Sequence, residues 1–301
     1  MDETVRILQL SDTHFLEEGE SPQGGAAYDT SEAFDAVFEH AASGPDVDLV
    51  VVTGDVADHG RPAQYRRAAE ALGRFTWPVN VCPGNHDQDA AFGAGIGRPG
   101  VSTSRVIEIG PWCFLFVDSN AGVMLQDDAG RFVDPEEVGD RLQGDGCLGD
   151  REAAWITAMC DATLADHVFV WVHHPPSVPI PMAYDAAYSA EWDQILSQAP
   201  NVRGFGAGHT HIPEQYELHG RDVYVAPSLK HNFDREARTW LPPGYLSYEF
   251  RADGTFSSEL HLVDDSRWPR RPYGRALASL FAGELTHAEV NEIAARRAAQ
   301  T

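Results

Sequence analysis

Apolar runs that end in a short cluster of aspartate, asparagine or histidine recur along this chain, and that recurrence constrains the fold more than any other feature. Val5–Leu10 leads into Asp12-Thr13-His14, Asp48–Thr53 into Gly54-Asp55, and Val79–Pro83 into Gly84-Asn85-His86-Asp87. Farther on, Val168–Val172 leads into His173-His174-Pro175-Pro176 and Asn201–Ala207 into Gly208-His209-Thr210-His211. Each cluster alone has a bland reading. Gly84-Asn85 is a turn that tolerates positive φ, and Asp12 with His14 is a capping carboxylate beside a surface histidine. Their repetition at successive strand ends needs a common cause. Asp, Asn and His bind Zn, Fe or Mn without thiolate, so the pattern points to a two-metal site on loops at the carboxyl ends of strands.

Asp48–Thr53 is almost wholly apolar, as in a strand covered on both faces. Asp29-Thr30-Ser31-Glu32 reads as a capping box opening a helix to about Ala42, and a second helix is expected from about Pro62 to Arg74. Helices between buried runs predict a layered α/β fold with parallel pairing in its first half, which places ligands at the carboxyl edge. Ser104–Ile109 and Trp112–Asp118 form an antiparallel hairpin around Gly110-Pro111, and Arg151–Cys160 a helix. Asp222–Ala226 and Tyr245–Phe250 are expected in a second sheet layer, and Phe256–Val263 ends the body. In an extended chain, positions i and i+2 project to one side, so Asp12 with His14, and His209 with His211, can each share a metal.

The order Asp-x-His, Gly-Asp, Gly-Asn-His-Asp, His, Gly-His-x-His, spread from Leu8 to His211, resembles the calcineurin-like metallophosphoesterases. The resemblance implies an α/β-β-α sandwich of two mixed sheets flanked by helices. A catalytic domain over 1–265 is then followed by a basic helical tail over 266–301. It also implies two divalent or mixed-valence ions (Mn, Fe or Zn). One is held by Asp12, His14, Asp55 and His211, the other by Asp55, Asn85, His173 and His209, with Asp55 bridging. The reaction implied is hydrolysis of a phosphate ester by a metal-bound hydroxide. His86 falls outside that ligand set, where an imidazole can protonate the leaving oxygen or stabilise charge; its alternative is to support Asp12 or Asp87. His174 lines the cleft, and Asp87 orients a histidine or caps a turn. Asp-Thr-His and the compact His-His-Pro-Pro look most like class III cyclic-nucleotide phosphodiesterases, with glycerophosphodiesterases nearly the same. A phosphomonoesterase and a non-catalytic scaffold are the further readings, and a scaffold is expected to lack ligands.

A net charge of −24 disfavours a nucleic-acid polymer or an anionic membrane as partner. A small phosphodiester remains compatible, because bound cations reverse the local field. No apolar run reaches the ~18 residues of a membrane span, and an acidic start leading into a strand shows no signal peptide, so cytoplasm is the expectation. Cys82, Cys113, Cys147 and Cys160 lack metal-like spacing. Lys230, the sole lysine, is expected to border the cleft with His231 and Asn232. Asn120–Gly149 is acidic and aperiodic, a solvated excursion or a lid with equal weight. The arginine-rich tail packs on the acidic body, within a monomer or across a homodimer.

Overall fold

The strands that carry the polar clusters are apolar on both sides because both sides are covered. In β1 (Val5–Leu10), Val5 and Ile7 face one core while Leu8 and Leu10 face another, and β2 (Leu49–Thr53) divides Leu49 and Val51 from Val50 and Val52 in the same way. The computed structural model describes residues 4–22, 26–87, 89–122, 146–178, 186–268 and 270–286, with 289, 290, 292, 293 and 296 beyond them. No helix among the described residues is long and apolar enough to cross a membrane.

The first sheet adds β3 (Val79–Cys82), β4 (Val101–Ser102), β13 (Gly244–Phe250) and β14 (Phe256–Leu262), in the order β14-β13-β1-β2-β3-β4. Its β1 to β4 pairs are parallel and the β13 side is antiparallel. The second sheet runs β5 (Val106–Ile109), β6 (Trp112–Val117), β7 (His167–Val172), β8 (Val202–Ala207), β10 (Arg221–Val225), β9 (Glu214–Leu218). It is parallel from β6 to β10 and antiparallel at both edges. Both sheets are therefore mixed, as expected.

Between them lies an aromatic layer in which Trp112 and Phe114 of β6 and Phe169 and Trp171 of β7 meet Tyr248 and Phe250 of β13. Helices α1 (Thr30–Ala42) and α2 (Pro62–Leu72) cover the outer face of the first sheet, and α4 (Gly149–Ala162) and α5 (Ala186–Gln198) that of the second. A short α3 (Asp89–Gly95) follows the β3 loop. Asp29 caps α1, accepting N–H bonds from Ser31 and Glu32, which is one half of the expected capping box.

One placement differs from expectation. Tyr245–Phe250 belongs to the first sheet, antiparallel to β1, and not to the second. Alternation reports which side chains are buried, and Tyr248 and Phe250 fill the layer between the sheets whichever sheet supplies them. The described part of the tail packs on the body of the same chain through apolar contacts as well as charge. Trp268 enters the first core, and Tyr273 with Leu277 and Phe281 of α6 (Arg275–Phe281) packs on Ile212, Phe233 and Trp240 around the β11 (Asn232–Asp234) and β12 (Thr239–Leu241) hairpin. Arg267 and Arg270 pair with Asp265 and Asp264 at the end of the body, and Arg267 also reaches Glu32 of α1 at 3.9 Å. Of the acidic stretch, 123–145 lies outside the described residues; at its ends, Cys147 donates to Ser119 O and Gly122 to Cys147 O.

Gln9 joins the sheets directly beneath the loops of interest. Its buried amide donates to Thr53 Oγ1 at 2.8 Å and to Ala207 O at 2.9 Å, and accepts from Tyr248 Oη at 2.6 Å. Gln9→Leu keeps the volume but takes the amide acceptor from Tyr248 Oη in an apolar layer and leaves Ala207 O with the Ala226 N–H alone. A buried group left without its partner costs about 1–3 kcal/mol. The expected outcome is a clear drop in the urea midpoint with an unchanged slope, and an unchanged midpoint would show that these bonds contribute nothing.

Candidate metal centre

The loops past β1 and β2 remain hydrogen-bonded beyond the strands themselves. Asp12 N–H donates to Gly54 O at 3.1 Å and His14 N–H to Asp55 O at 2.9 Å. The backbone is not extended there. Asp12, His14 and Asp55 have φ of 50°, 43° and 48°, and His209 and His211 have 69° and 55°. The two i, i+2 pairs therefore converge through left-handed turns, not through the strand alternation expected from spacing. Each such non-glycine residue costs about 1–2 kcal/mol, and strain of this kind concentrates at functional sites. Gly84 is required by closeness: a Cβ there would collide with Asp55 N and Oδ1. Gly54 combines a φ of +81° with a Cβ position 2.6 Å from His173 Nδ1.

All the polar clusters meet at one place. Donor atoms of Asp12, His14 and His211 lie within 4.8 Å of one another, as do those of Asp12, Asp55 and His173, and of His14, Asp55 and His86. Asn85 Oδ1 closes the other side, 3.0 Å from both His173 Nε2 and His209 Nδ1. Asp55 thus stands between two sets of donors. His174, expected only to line the cleft, also falls within 4.8 Å of His173 and His209, and its Nδ1 is 2.7 Å from Ser119 Oγ. His86 and His209 are partly exposed and form the open side, whereas Asp12, His14, Asp55 and His173 are sealed from water.

Backbone contacts aim these groups. His173 Nδ1 meets Thr53 O at 2.8 Å and His86 Nδ1 meets Asp58 O at 2.7 Å, so each ring donates there and turns Nε2 inward. His86 Nε2 then lies 3.9 Å from Asp55 Oδ2. The His86 N–H donates to Asp55 Oδ1 at 2.9 Å, and the His209 N–H reaches the Asp12 carboxylate at 3.1 Å. Asp87 caps the turn, the second of its two expected roles, accepting N–H bonds from Gly84, Val56 and Ala57 at 3.0–3.1 Å. Sequence reasoning missed Asp58, which is wholly buried with Oδ1 2.9 Å from His14 Nδ1. A carboxylate so soon after Asp55 was the available signal. Lys230 was expected at the cleft border and is instead buried, bonded to Asp58.

Electrostatics suit cations. Burial raises the Asp55 carboxyl, but the neighbouring His173 and His86 outweigh it and hold the group well below the usual carboxylate range. Burial, reinforced by the Lys230 ammonium, drops His14 to about 3. Burial opposes charge on His173 too, yet the Asp55 carboxylate wins and raises it to about 9. Burial and the Asp55 charge push Asp87 up to about 6 despite its N–H bonds. Both ring nitrogens of His14 are sealed from water and neither makes a well-aligned hydrogen bond among the described residues; Nδ1 stands 2.9 Å from Asp58 Oδ1, and Nε2 is left bare. A buried bare imidazole nitrogen among carboxylates is what a borderline metal ion would satisfy, and an all-N/O donor set suits Zn, Mn or Fe.

Comparison with known proteins agrees. A family model described as Calcineurin-like phosphoesterase matches residues 5–213. The 3′,5′-cyclic adenosine monophosphate phosphodiesterase CpdA of Escherichia coli (strain K12) is 28% identical over 275 residues, covering 88% of this chain and 92% of that protein. The glycerophosphodiester phosphodiesterase GpdQ of Enterobacter lignolyticus is 25% identical over 233 residues, covering 75% and 77%. A dimetal phosphatase from Danio rerio shares the fold with a TM-score of 0.53 and 14% identity, covering 84% of this chain and 98% of that one.

The His173 shift sets a pH dependence for metal uptake. With its value raised to about 9, His173 holds a proton at neutral pH in the metal-free protein, and a cation held by His173 would have to displace it. Affinity for Mn²⁺ at this site should therefore rise about tenfold per pH unit from pH 6.5 to 8.5 and level off above about 9. Competition against a chelator measures it, and an affinity flat over that range would contradict the assignment of His173.

Proposed function

We propose, for a chain that belongs to the calcineurin-like phosphoesterase family and is a metal-dependent phosphoric ester hydrolase, that it hydrolyses small phosphodiesters at a dinuclear centre, with cyclic nucleotides as the substrate class. The observation that carries this reading is the sharing of one sealed carboxylate, Asp55, between the His14 and His86 group and the Asp12 and His173 group. Asp12, His14, Asp55 and His211 would hold one cation, and Asp55, Asn85, His173 and His209 the other. When bound, the two ions polarise the phosphoryl oxygens and acidify a water. A full complement of donors speaks against a scaffold.

The cyclic-nucleotide choice is supported by the phosphodiesterase relative that spans 88% of the chain. Glycerophosphodiesters form the second reading, favoured by the relative that spans 75% of it.

The chain's own residues divide the remaining work. Asp55 is fixed by the His86 N–H and by the packing of Gly84 against it. The His86 ring, anchored through Nδ1 to the Asp58 carbonyl, presents Nε2 on the open side. In its doubly protonated form it gives the Nε2 proton to the leaving alkoxide as the ester P–O bond breaks. It is left neutral, with Nδ1–H still bonded to Asp58 O. A positioned acid of this kind contributes about 10²–10⁴-fold.

The test is a Mn²⁺-loaded substrate panel on the wild type and His86→Ala. Cyclic nucleotides should be turned over faster than glycerophosphodiesters and much faster than phosphomonoesters; the reverse order would overturn the substrate class. His86→Ala should keep its metal and lose kcat by about 10²–10⁴-fold on substrates with alkoxide leaving groups. It should lose far less on bis-p-nitrophenyl phosphate, whose leaving group needs little protonation. Equal losses on both, or loss of a metal, would remove His86 from the acid role.

A further inference from the structure

Lys230 is the only lysine in the chain, and it is buried at 4% side-chain exposure beside the metal centre. Its Nζ donates to Asp58 Oδ1 at 2.8 Å, the oxygen that also lies 2.9 Å from His14 Nδ1. The main-chain oxygen of Asp58 receives His86 Nδ1. One residue thus meets the outward nitrogens of two site imidazoles, and the Lys230 ammonium lies against its carboxylate, with His59 Nε2 3.5 Å from the other oxygen.

The lysine's backbone is anchored as firmly as its tip. Lys230 N–H donates to Ser228 Oγ at 2.9 Å, Ser228 Oγ to Asp12 O at 3.2 Å, and Leu229 N–H to Asp12 O at 3.1 Å. Asn232 closes this turn, accepting from Ser228 N–H at 2.6 Å and donating to Ser228 O at 2.8 Å. Ala27 N–H donates to Lys230 O at 3.0 Å. The side chain therefore crosses from the turn after β10, bonded to the Asp12 carbonyl, to the loop that follows Asp55.

We propose that Lys230 is a positioning residue which, through Asp58, fixes the ring of His14 for the cation held by Asp12, His14 and His211. The inference rests on the reading of His14 as a ligand. A ligating imidazole is oriented by the acceptor of its other N–H, and loss of such a partner lowers metal affinity by about 10–100-fold. A buried carboxylate keeps its place only when its charge is compensated. Lys230 supplies that charge from a fixed point.

Equilibrium dialysis of the full chain with Mn²⁺ tests this, on the wild type, Lys230→Met, Asp58→Asn and the double variant, with the melting temperature of each metal-free protein recorded. Lys230→Met should weaken one of two Mn²⁺ sites by about 10–100-fold and spare the other. The double variant should lose no more than Asp58→Asn alone, because the lysine acts through the aspartate. It also removes both buried charges, so it keeps a folded sample in hand if Lys230→Met unfolds around a buried carboxylate that has lost its ammonium. Two intact sites in Lys230→Met, or losses that add in the double variant, would overturn this inference alone. A wild-type chain without any Mn²⁺ site would overturn the metal reading, and this inference with it.

Discussion

The rest of the structure depends on a carboxylate sealed from water at the end of β2. Asp55 is charged and buried, a combination that costs several kcal/mol unless cations or donors surround it. The chain answers with the imidazoles of His173 and His86 and with a backbone N–H from the His86 turn. Gly84 brings that turn close enough to make the bond. The two mixed sheets serve this arrangement: β1, β2 and β3 deliver Asp12, Asp55 and Asn85 from one, and β7 and β8 deliver His173 and His209 from the other. The aromatic layer and the Gln9 bridge hold those two edges in register.

The centre is assembled against local preference. Asp12, His14, Asp55, His209 and His211 are all left-handed, a state that glycine would occupy more cheaply. A loop of glycines would be more stable and would carry no donors. The structure around the site compensates through paired backbone across the β1 and β2 loops and through the three N–H bonds gathered by Asp87. Bound cations would supply the remainder, which couples metal binding to the stability of the fold.

Much of this was legible from the residues. The strands were, because burial on both faces leaves near-continuous apolar runs such as Val50-Val51-Val52. The donor clusters were, because polar residues at successive strand tips have few other uses. The sheet that receives Tyr245–Phe250 was not, since alternation encodes a face and says nothing of which neighbour pairs beside it. The left-handed turns were hidden too, because only tertiary contacts make a non-glycine residue accept them. Asp58, and the bond that draws Lys230 from the expected cleft border into the interior, were missed for a third reason: the bond joins positions 172 apart in sequence.

The central claim is that one carboxylate joins two metal ions, and the electron paramagnetic resonance spectrum of the Mn²⁺-loaded protein tests it most directly. A bridged pair is predicted to give a spin-coupled signal at two Mn²⁺ per chain, which Asp55→Ala should abolish. Two isolated, uncoupled Mn²⁺ signals in the wild type, or coupling that survives in Asp55→Ala, would contradict it.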